Sequence, residues 1–415
     1  MVAHVIQSGG ARAVARCDAL ARPPFSESAD GLTRTWLSPA FLAAQDRIGR
    51  WMEQAGMTVS RDAATNLVGR YEGLDPAAPV LLIGSHIDSV RNAGAYDGPL
   101  GVMLAIEAVA ALNAAGKRFR FPIEVVAFGD EEGSRFPAAM LTSRAVAGTL
   151  DPAALDVRDG AGVALADLVD ITAFPAAARA PGSVLAYLET HIEQGPVLEA
   201  QGLAVGAVTG IAAQMRFEAE LLGNAGHAGT TAMGLRRDAV AGMAEMVLVA
   251  ETVAQDSLGD VVATVGFVQV PSGAANVIAG KCAFTLDVRS GSEARRDRAA
   301  DEILRRFRRI ADARDLGLAV RKVHDLPASP CAPALMDLLD AATRSAGHQP
   351  FRLVSGAGHD AMIMAALCPT AMLFVRCRGG VSHNPAEHVD PVDAEVALRV
   401  MLGFIDRLGA LHAAA

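Results

Sequence analysis

The sequence predicts an α/β fold, a mostly parallel sheet with covering helices, into which a ferredoxin-like α+β unit is inserted. Three observations carry this expectation. Continuous apolar runs (Pro79 to Gly84 and Ile123 to Phe128) alternate with an apolar helical stretch (Leu100 to Ala115), as in a parallel sheet covered on both faces. After about residue 207 the strands instead alternate apolar and polar positions, in the order β-α-β-β-α-β. From about residue 326 the α/β style returns. The expected boundaries are 1–208 with 326–415 for the sheet-and-helix domain, and 209–325 for the insert.

Residues 1–30 show little periodicity. Ser38-Pro39 opens a helix, with serine as cap and proline tolerated in the first turn. Phe41, Ala44, Ile48, Trp51 and Met52 share its apolar face, and Gly56 stops it. In the insert, Met215, Phe217, Ala219 and Leu221 mark a half-exposed strand. A helix from Arg236 to Gln255 follows, then strands from Val261 to Val270 and from Cys282 to Val288. A polar amphipathic helix from Ser292 to Arg314 and a strand from Leu318 to Val323 complete it. Thr370 to Val375 reads as a buried strand and Val392 to Leu411 as a closing helix.

Composition narrows the function. The chain has 415 residues, 51% hydrophobic and 20% charged, enough for a large core and two or three domains. Its net charge is −9, and the basic stretch Arg305-Arg306-Phe307-Arg308-Arg309 lies among Asp301, Glu302 and Asp312. That is a solvated helix face rather than a nucleic-acid surface. The five cysteines (Cys17, Cys282, Cys331, Cys368, Cys377) form no C-x-x-C pair, which fits a reducing, cytoplasmic compartment. The first residues have no secretory pattern, and the apolar stretch from Val102 to Ala111 is too short to span a bilayer and contains Glu107. A soluble protein without membrane partners is expected.

The chemistry lies in five segments, each where an element gives way to a loop: Gly84-Ser85-His86-Ile87-Asp88-Ser89, Tyr96-Asp97-Gly98, Phe128-Gly129-Asp130-Glu131-Glu132-Gly133, Glu189-Thr190-His191-Ile192-Glu193-Gln194-Gly195 and Val381-Ser382-His383-Asn384-Pro385. In parallel sheets, ligands bind beyond the carboxyl ends of the strands, where His86 and Glu131-Glu132 stand. Taken singly, His86 reads as a core histidine, Asp97 as a turn residue and the glutamates as solvated surface. Together they read as a two-metal hydrolase site, because clustered carboxylates at the end of a buried strand need a cation. Imidazole with carboxylate suits zinc or manganese. Two metals require a shared carboxylate, and hydrolysis requires one acid left free to carry a proton. Adjacent side chains diverge, so one of Glu131 and Glu132 can ligate while the other acts as base. Asp88 is placed to accept a hydrogen bond from a ligating His86.

These segments, with Asp130-Glu131-Glu132-Gly133-Ser134-Arg135-Phe136 and Ser382-His383-Asn384-Pro385-Ala386-Glu387, resemble the amidase/hydantoinase-carbamoylase branch of the co-catalytic zinc peptidase superfamily. The resemblance runs from about Gly31-Leu32-Thr33-Arg34 to the end of the chain. It implies two divalent metals (zinc or manganese, with cobalt or nickel also suited), Asp97 bridging them, His86 and His191 completing one position, and Glu132 and His383 the other. It implies Glu131 as general base. A histidine at position 191, where the peptidase branch usually has a carboxylate, favours the amidohydrolases. In the insert, Gly226-His227-Ala228-Gly229 resembles a lid loop whose histidine stabilises the tetrahedral intermediate, and Asn276 and Arg289 match residues that hold a substrate carboxylate. Read alone, His227 is a turn residue and Arg289 a strand-end ion pair. Gln194, Gly358 and His359 are further candidates for substrate contact, although His359 alone reads equally as fixing its own loop.

Two departures bear on loop shape: Ala213-Gln214 replaces the family's Gly-Gln, and Thr231-Ala232-Met233 replaces Thr-Pro-Met. The resemblance also implies a homodimer through the insert, with the lid histidine able to reach the neighbour's site. Within the branch, the segments around Glu131 and from Cys377 to Pro385 look most like allantoate amidohydrolases. The expected reaction is hydrolysis of a ureido C–N bond. N-carbamoyl-L-amino-acid hydrolase or β-ureidopropionase is the alternative, and an aminoacylase, a peptidase or a non-catalytic binding protein the further ones.

Overall fold

The computed structural model describes residues 8–413, apart from positions 258, 260 and 272. The chain forms two compact units. One comprises the residues up to Thr209, Cys331–Leu353 and those from Gly358 onward; the other comprises Gly210–Pro330 and Val354–Ala357.

The sheet of the first unit runs in the order Thr58–Arg61, Leu67–Tyr71, Ile123–Phe128, Val80–His86, Val184–Ile192, Thr370–Val375, Val205–Ile211. It is mixed. The four strands from Ile123–Phe128 to Thr370–Val375 are parallel neighbours. Both flanks run antiparallel, and the expected parallel order forms the centre of the sheet. On the first flank the cause is local. Arg61 and Leu67 are joined by a short link, which only antiparallel strands allow. Within it the Asp62 carboxylate accepts the amides of Ala64 and Asn66, both at 2.9 Å.

Every residue of Val80–His86, Ile123–Phe128 and Thr370–Val375 is buried, which explains why these strands are apolar without alternation. Helix Pro99–Ala114 is also buried on nearly every side. It approaches the sheet so closely that a Cβ at Gly101 would lie 2.0 Å from the Thr190 carbonyl oxygen. Helix Pro39–Gln54 is capped by Ser38, whose hydroxyl accepts from the Phe41 amide.

Residues Gly9–Leu20 form a helix that the sequence reading did not anticipate. Its buried stripe is Gly10, Ala13, Val14, Cys17 and Leu20, small side chains that give a weak periodic signal. Long-range partners hold it. Arg12 and Arg16 reach the buried Glu107 of helix Pro99–Ala114 at 2.6 and 2.8 Å. The Gly10 amide donates to Glu395 in helix Pro391–Ala413. An acid inside an otherwise apolar helix is thus an anchoring point for the first one.

The second unit is an antiparallel sheet with Lys281–Ser290 paired to Ala213–Leu222, which pairs with Gly317–Leu326. Val261–Thr264 and Val268–Gln269 lie on the other side of Lys281–Ser290. These two segments were expected as one strand. Thr264 faces Asp287 and Val268 faces Phe284, so four steps on one strand oppose three on the other and one residue bulges out. Helices Ala239–Asp256 and Glu293–Ala313 cover one face, packing Met246, Ala250, Ile303 and Phe307 onto Phe217, Leu221, Phe284 and Leu286. This is the ferredoxin-like order. All five cysteines are free and buried. Among the described residues, no helix is long and apolar enough to cross a membrane.

The Glu107 anchor makes an asymmetric prediction. Replacing Arg12 and Arg16 together by alanine strands a buried carboxylate and should destabilise the protein by roughly 3–5 kcal/mol. Glu107→Leu leaves Arg12, which is 41% exposed, and the less exposed Arg16, and should cost less than stranding the carboxylate. Adding Glu107→Leu to the double arginine variant should recover part of the loss, as read by chemical denaturation.

Candidate metal centre

Strand register assembles the site. In the parallel ladder His86 stands opposite Phe128, and His191 opposite Phe374, so the carboxyl ends of four strands lie side by side. Just past Phe128, Asp130 turns the chain with φ +63°. Gln194 and His383 also adopt positive φ, 56° each, uncommon for side chains of this kind and typical of functional loops. Asp97 arrives on the turn before helix Pro99–Ala114. Gly98 follows with φ +84°, and a Cβ there would fall 2.5 Å from the His86 ring. Only glycine satisfies both demands, which accounts for the Asp-Gly pair.

Asp97 is the centre of the cluster. Its Oδ1 lies 3.1 Å from His191 Nε2 and 3.7 Å from His86 Nε2. Its Oδ2 lies 3.3 Å from His383 Nε2, which is 3.5 Å from Glu132 Oε1. Two groupings that could hold an ion, His86–Asp97–His191 and Asp97–Glu132–His383, therefore share one carboxylate through different oxygens. A third, His86–Glu131–Glu132, overlaps them. Tetrahedral zinc with bonds near 2.1 Å needs ligand atoms about 3.4 Å apart, the spacing found here. The cluster has the donor set and geometry of a di-metal hydrolase's active site.

Charge is unbalanced in this cluster. Burial raises Glu131 well above the usual carboxylate range, with Glu132, Asp360 and Asp88 adding to the effect and His86 opposing it. Burial likewise lifts Glu132 to about 6. Burial would raise Asp97 too, but His191, His383 and His86 hold it well below its ordinary value. Burial works against a charged His86, yet Asp88, Asp97 and Glu131 raise it well above a free imidazole. His383 is raised to about 9, chiefly by its bond to Asp97. The carboxylates thus favour the protonated form of the imidazoles set among them.

Asp88 faces His86 through two oxygens. The nearest to His86 Nδ1 is the Asp88 backbone oxygen at 3.0 Å, with the carboxylate at 3.5 Å. That carboxylate also accepts the Glu131 and Glu132 amides, each at 3.2 Å, tying two site loops together. Gln194 donates to Asp97 Oδ2 at 2.8 Å and to Ser382 Oγ at 3.3 Å, while its own buried side-chain oxygen has no partner. His359 is buried edge-on against His191, with ring centroids 4.5 Å apart, and Gly358 precedes it.

In the second unit, the His227 pair Gly226–His227 is bridged to Val277–Ile278, and the Ala228 amide donates to the Asn276 carbonyl. His227 is exposed, its Nδ1 accepting from the Gly229 amide. Arg289 binds Asp287 at 2.7 and 3.3 Å and the Gly356 carbonyl at 2.6 Å, which uses three of its five N–H groups.

Several supporting residues escaped the sequence reading. Ser382 donates to Asp97 Oδ2 from beside His383. Glu387 accepts the amides of Tyr96 and Asp97. The fully buried Arg34 donates to the carbonyls of Ile87, Leu20 and Phe25, bracing the loop after His86, and burial lowers it to about 10. All three stand inside the quoted motifs, but nothing local in the sequence names their partners.

Residues 82–407 match the model of peptidase family M20/M25/M40. The chain belongs to this family. It falls in the hydantoinase/carbamoylase branch. A solved amidase of the hydantoinase/carbamoylase family from Burkholderia multivorans superposes with a TM-score of 0.89 at 33% identity, covering 97% of this chain and 98% of that one. The N-carbamoyl-L-amino acid amidohydrolase of Geobacillus stearothermophilus is 43% identical over 376 residues, 89% of this chain and 92% of that one. Allantoate deiminase of Arabidopsis thaliana is 39% identical over 95% of this chain and 83% of that one.

A metal ligand must be deprotonated, and His383 with a value near 9 is protonated at neutral pH. Metal uptake at pH 7 should therefore release protons, and affinity should climb as pH rises from 7 toward the His383 value of about 9. Calorimetry in buffers of differing ionisation enthalpy measures the release; buffer-independent heats at pH 7 would refute the charge balance described.

Proposed function

We propose that this protein hydrolyses the ureido (carbamoyl) C–N bond of a small carboxylate-bearing substrate, with allantoate the preferred one. The observation that carries the reading is the Asp97-centred cluster with Glu131 beside it, in a chain of this branch. We assign His86 and His191 with Asp97 to one metal position, and Glu132 and His383 with Asp97 to the other. Zinc or manganese suits these donors, with cobalt or nickel as substitutes. The ions would supply Lewis acidity and make water acidic enough to attack at neutral pH.

The residues do the rest. Glu131, raised by burial, takes a proton from the attacking water and returns it to the leaving nitrogen. His227 is assigned to the oxyanion that develops on the carbamoyl oxygen. Asn276 and Arg289 are assigned to the substrate carboxylate, for which Arg289 keeps two N–H groups after binding Asp287 and Gly356. The partnerless oxygen of Gln194 suits a ureido N–H, and Gly358 and His359 stay candidates for substrate contact. Cleavage of one carbamoyl C–N bond by water releases ammonia and leaves a carbamic acid, whose remaining C–N bond breaks as carbon dioxide leaves, giving the decarbamoylated acid.

The two N–H-rich ureido groups of allantoate favour it on chemical grounds. A second reading, an N-carbamoyl-L-amino-acid hydrolase, is favoured by the higher identity of the Geobacillus relative. The reading extends to a homodimer through the inserted unit, supported by the long edge strand Gly317–Leu326, and to a reducing, cytoplasmic setting that suits five free cysteines.

Ammonia release from allantoate, N-carbamoyl-L-methionine and N-carbamoyl-β-alanine by metal-loaded protein tests the assignment. Allantoate should turn over fastest, and Glu131→Gln should lower kcat by about 10²–10⁴-fold while two metals stay bound. Preference for a carbamoyl amino acid would replace the substrate and keep the mechanism. No ammonia from any of the three would sink the proposal.

A further inference from the structure

Two loops of the metal centre meet through one side chain that the mechanism does not use. Glu387 stands on the loop that carries His383. Its Oε1 accepts the Tyr96 amide at 2.7 Å and the Asp97 amide at 3.1 Å, across 291 and 290 residues of chain. Its own loop is closed by the Glu387 amide on the Asn384 carbonyl and by the Ala386 amide on the Asn384 side chain. Tyr96 is held at its far end too, its hydroxyl donating to Asp18 at 2.7 Å. Glu387 is buried, and its Oε2 has no partner, so one oxygen carries the whole contact. Gly94 leaves room for it: a Cβ there would lie 2.3 Å from Glu387 Cβ and 2.6 Å from Oε1.

The two metal positions depend on this contact unequally. His86 and His191 stand at the ends of buried strands paired on both sides, and their side chains are 1% exposed. His383 stands on a loop with its side chain 48% exposed. In the grouping Asp97–Glu132–His383, two members lie on opposite sides of the Glu387 contact. In His86–Asp97–His191 only Asp97 does, and the Gly98 turn still seats it against His86.

We propose that Glu387 is a positioning residue that sets the affinity of the Asp97–Glu132–His383 metal position, and leaves the His86–Asp97–His191 position largely to the strands. The inference rests on the di-metal reading above. Groups that orient metal ligands typically change affinity by about 10–100-fold when removed.

The test is a calorimetric Zn²⁺ titration of the full-length apoprotein, with bound zinc counted by mass spectrometry after gel filtration. His383→Ala and His191→Ala identify which binding step belongs to which position. Glu387→Leu should weaken the His383 step at least tenfold and the other step less than about threefold, giving one retained zinc per chain at limiting metal. Gly94→Ala, which pushes Glu387 off its amides without touching it chemically, should reproduce this loss and decides the matter if Glu387→Leu does not fold. Glu387→Gln should keep both steps, because its amide oxygen accepts the same two N–H groups. Equal weakening of both steps, no weakening in folded Gly94→Ala, or a Gln variant as poor as the Leu variant would overturn the proposal. A wild-type protein that takes up fewer than two zinc ions would instead refute the di-metal reading on which it stands.

Discussion

The crowding of buried carboxylates at the carboxyl ends of the central strands is the constraint on which the site depends. Elsewhere in the first unit, buried acids are neutralised by arginine: Glu107 by Arg12 and Arg16, Glu124 by Arg70 and Arg179, Asp393 by Arg376. At the site three further acids are held by neutral donors. Asp88 takes the amides of Glu131 and Glu132, Glu189 the Ser85 hydroxyl and the Ala361 amide, Glu387 the amides of Tyr96 and Asp97. Even the buried Arg34 spends its bonds on carbonyls. Such bonds orient a carboxylate but leave its charge in place, and a buried charge is costly without a counter-ion. Such a cluster suits cations, and among the described residues the imidazoles are the basic groups set among its carboxylates.

The scaffold provides rigidity where the geometry is tightest. His86, His191 and the approach to Glu131 are fixed by ladder register in strands buried on both faces, so their relative positions follow from backbone hydrogen bonds. Asp97 comes from a turn whose glycine is demanded by the His86 ring, and Gly101 lets the following helix lie against the Thr190 carbonyl. His383 has no strand beneath it and relies on Ser382 and Glu387.

How much of this was legible follows from the range of each interaction. Several candidate site residues stand at the ends of apolar runs, so His86, Glu131-Glu132 and the α/β frame could be read from local pattern. The insert was equally visible, because its strands switch from continuous to alternating burial, as in Lys281–Ser290. What stayed hidden depends on pairing across hundreds of residues. Helix Gly9–Leu20 has a stripe of small side chains and is anchored through Glu107 and Glu395, which no local window contains. The antiparallel flanks, the bulge between Thr264 and Val268, and the partners of Arg34 and Glu387 are of the same kind.

The second unit reverses the arrangement, gathering two arginines on one carboxylate. Asp287 collects Gln214, Arg216 and Arg289, and those bonds keep it below the ordinary aspartate value against the effect of burial. Arg289 is therefore oriented by Asp287 and the Gly356 carbonyl before any ligand arrives. An arginine fixed in this way loses little further rotamer freedom on binding a carboxylate, a cost of about 0.5–1.5 kcal/mol for a free side chain. The salt bridge expected of a bland strand-end arginine and the orientation required of a recognition arginine are the same contact. Finding Arg289 paired with Asp287 is no argument against its binding a substrate; with two N–H groups unspent, it is what a preorganised fork requires.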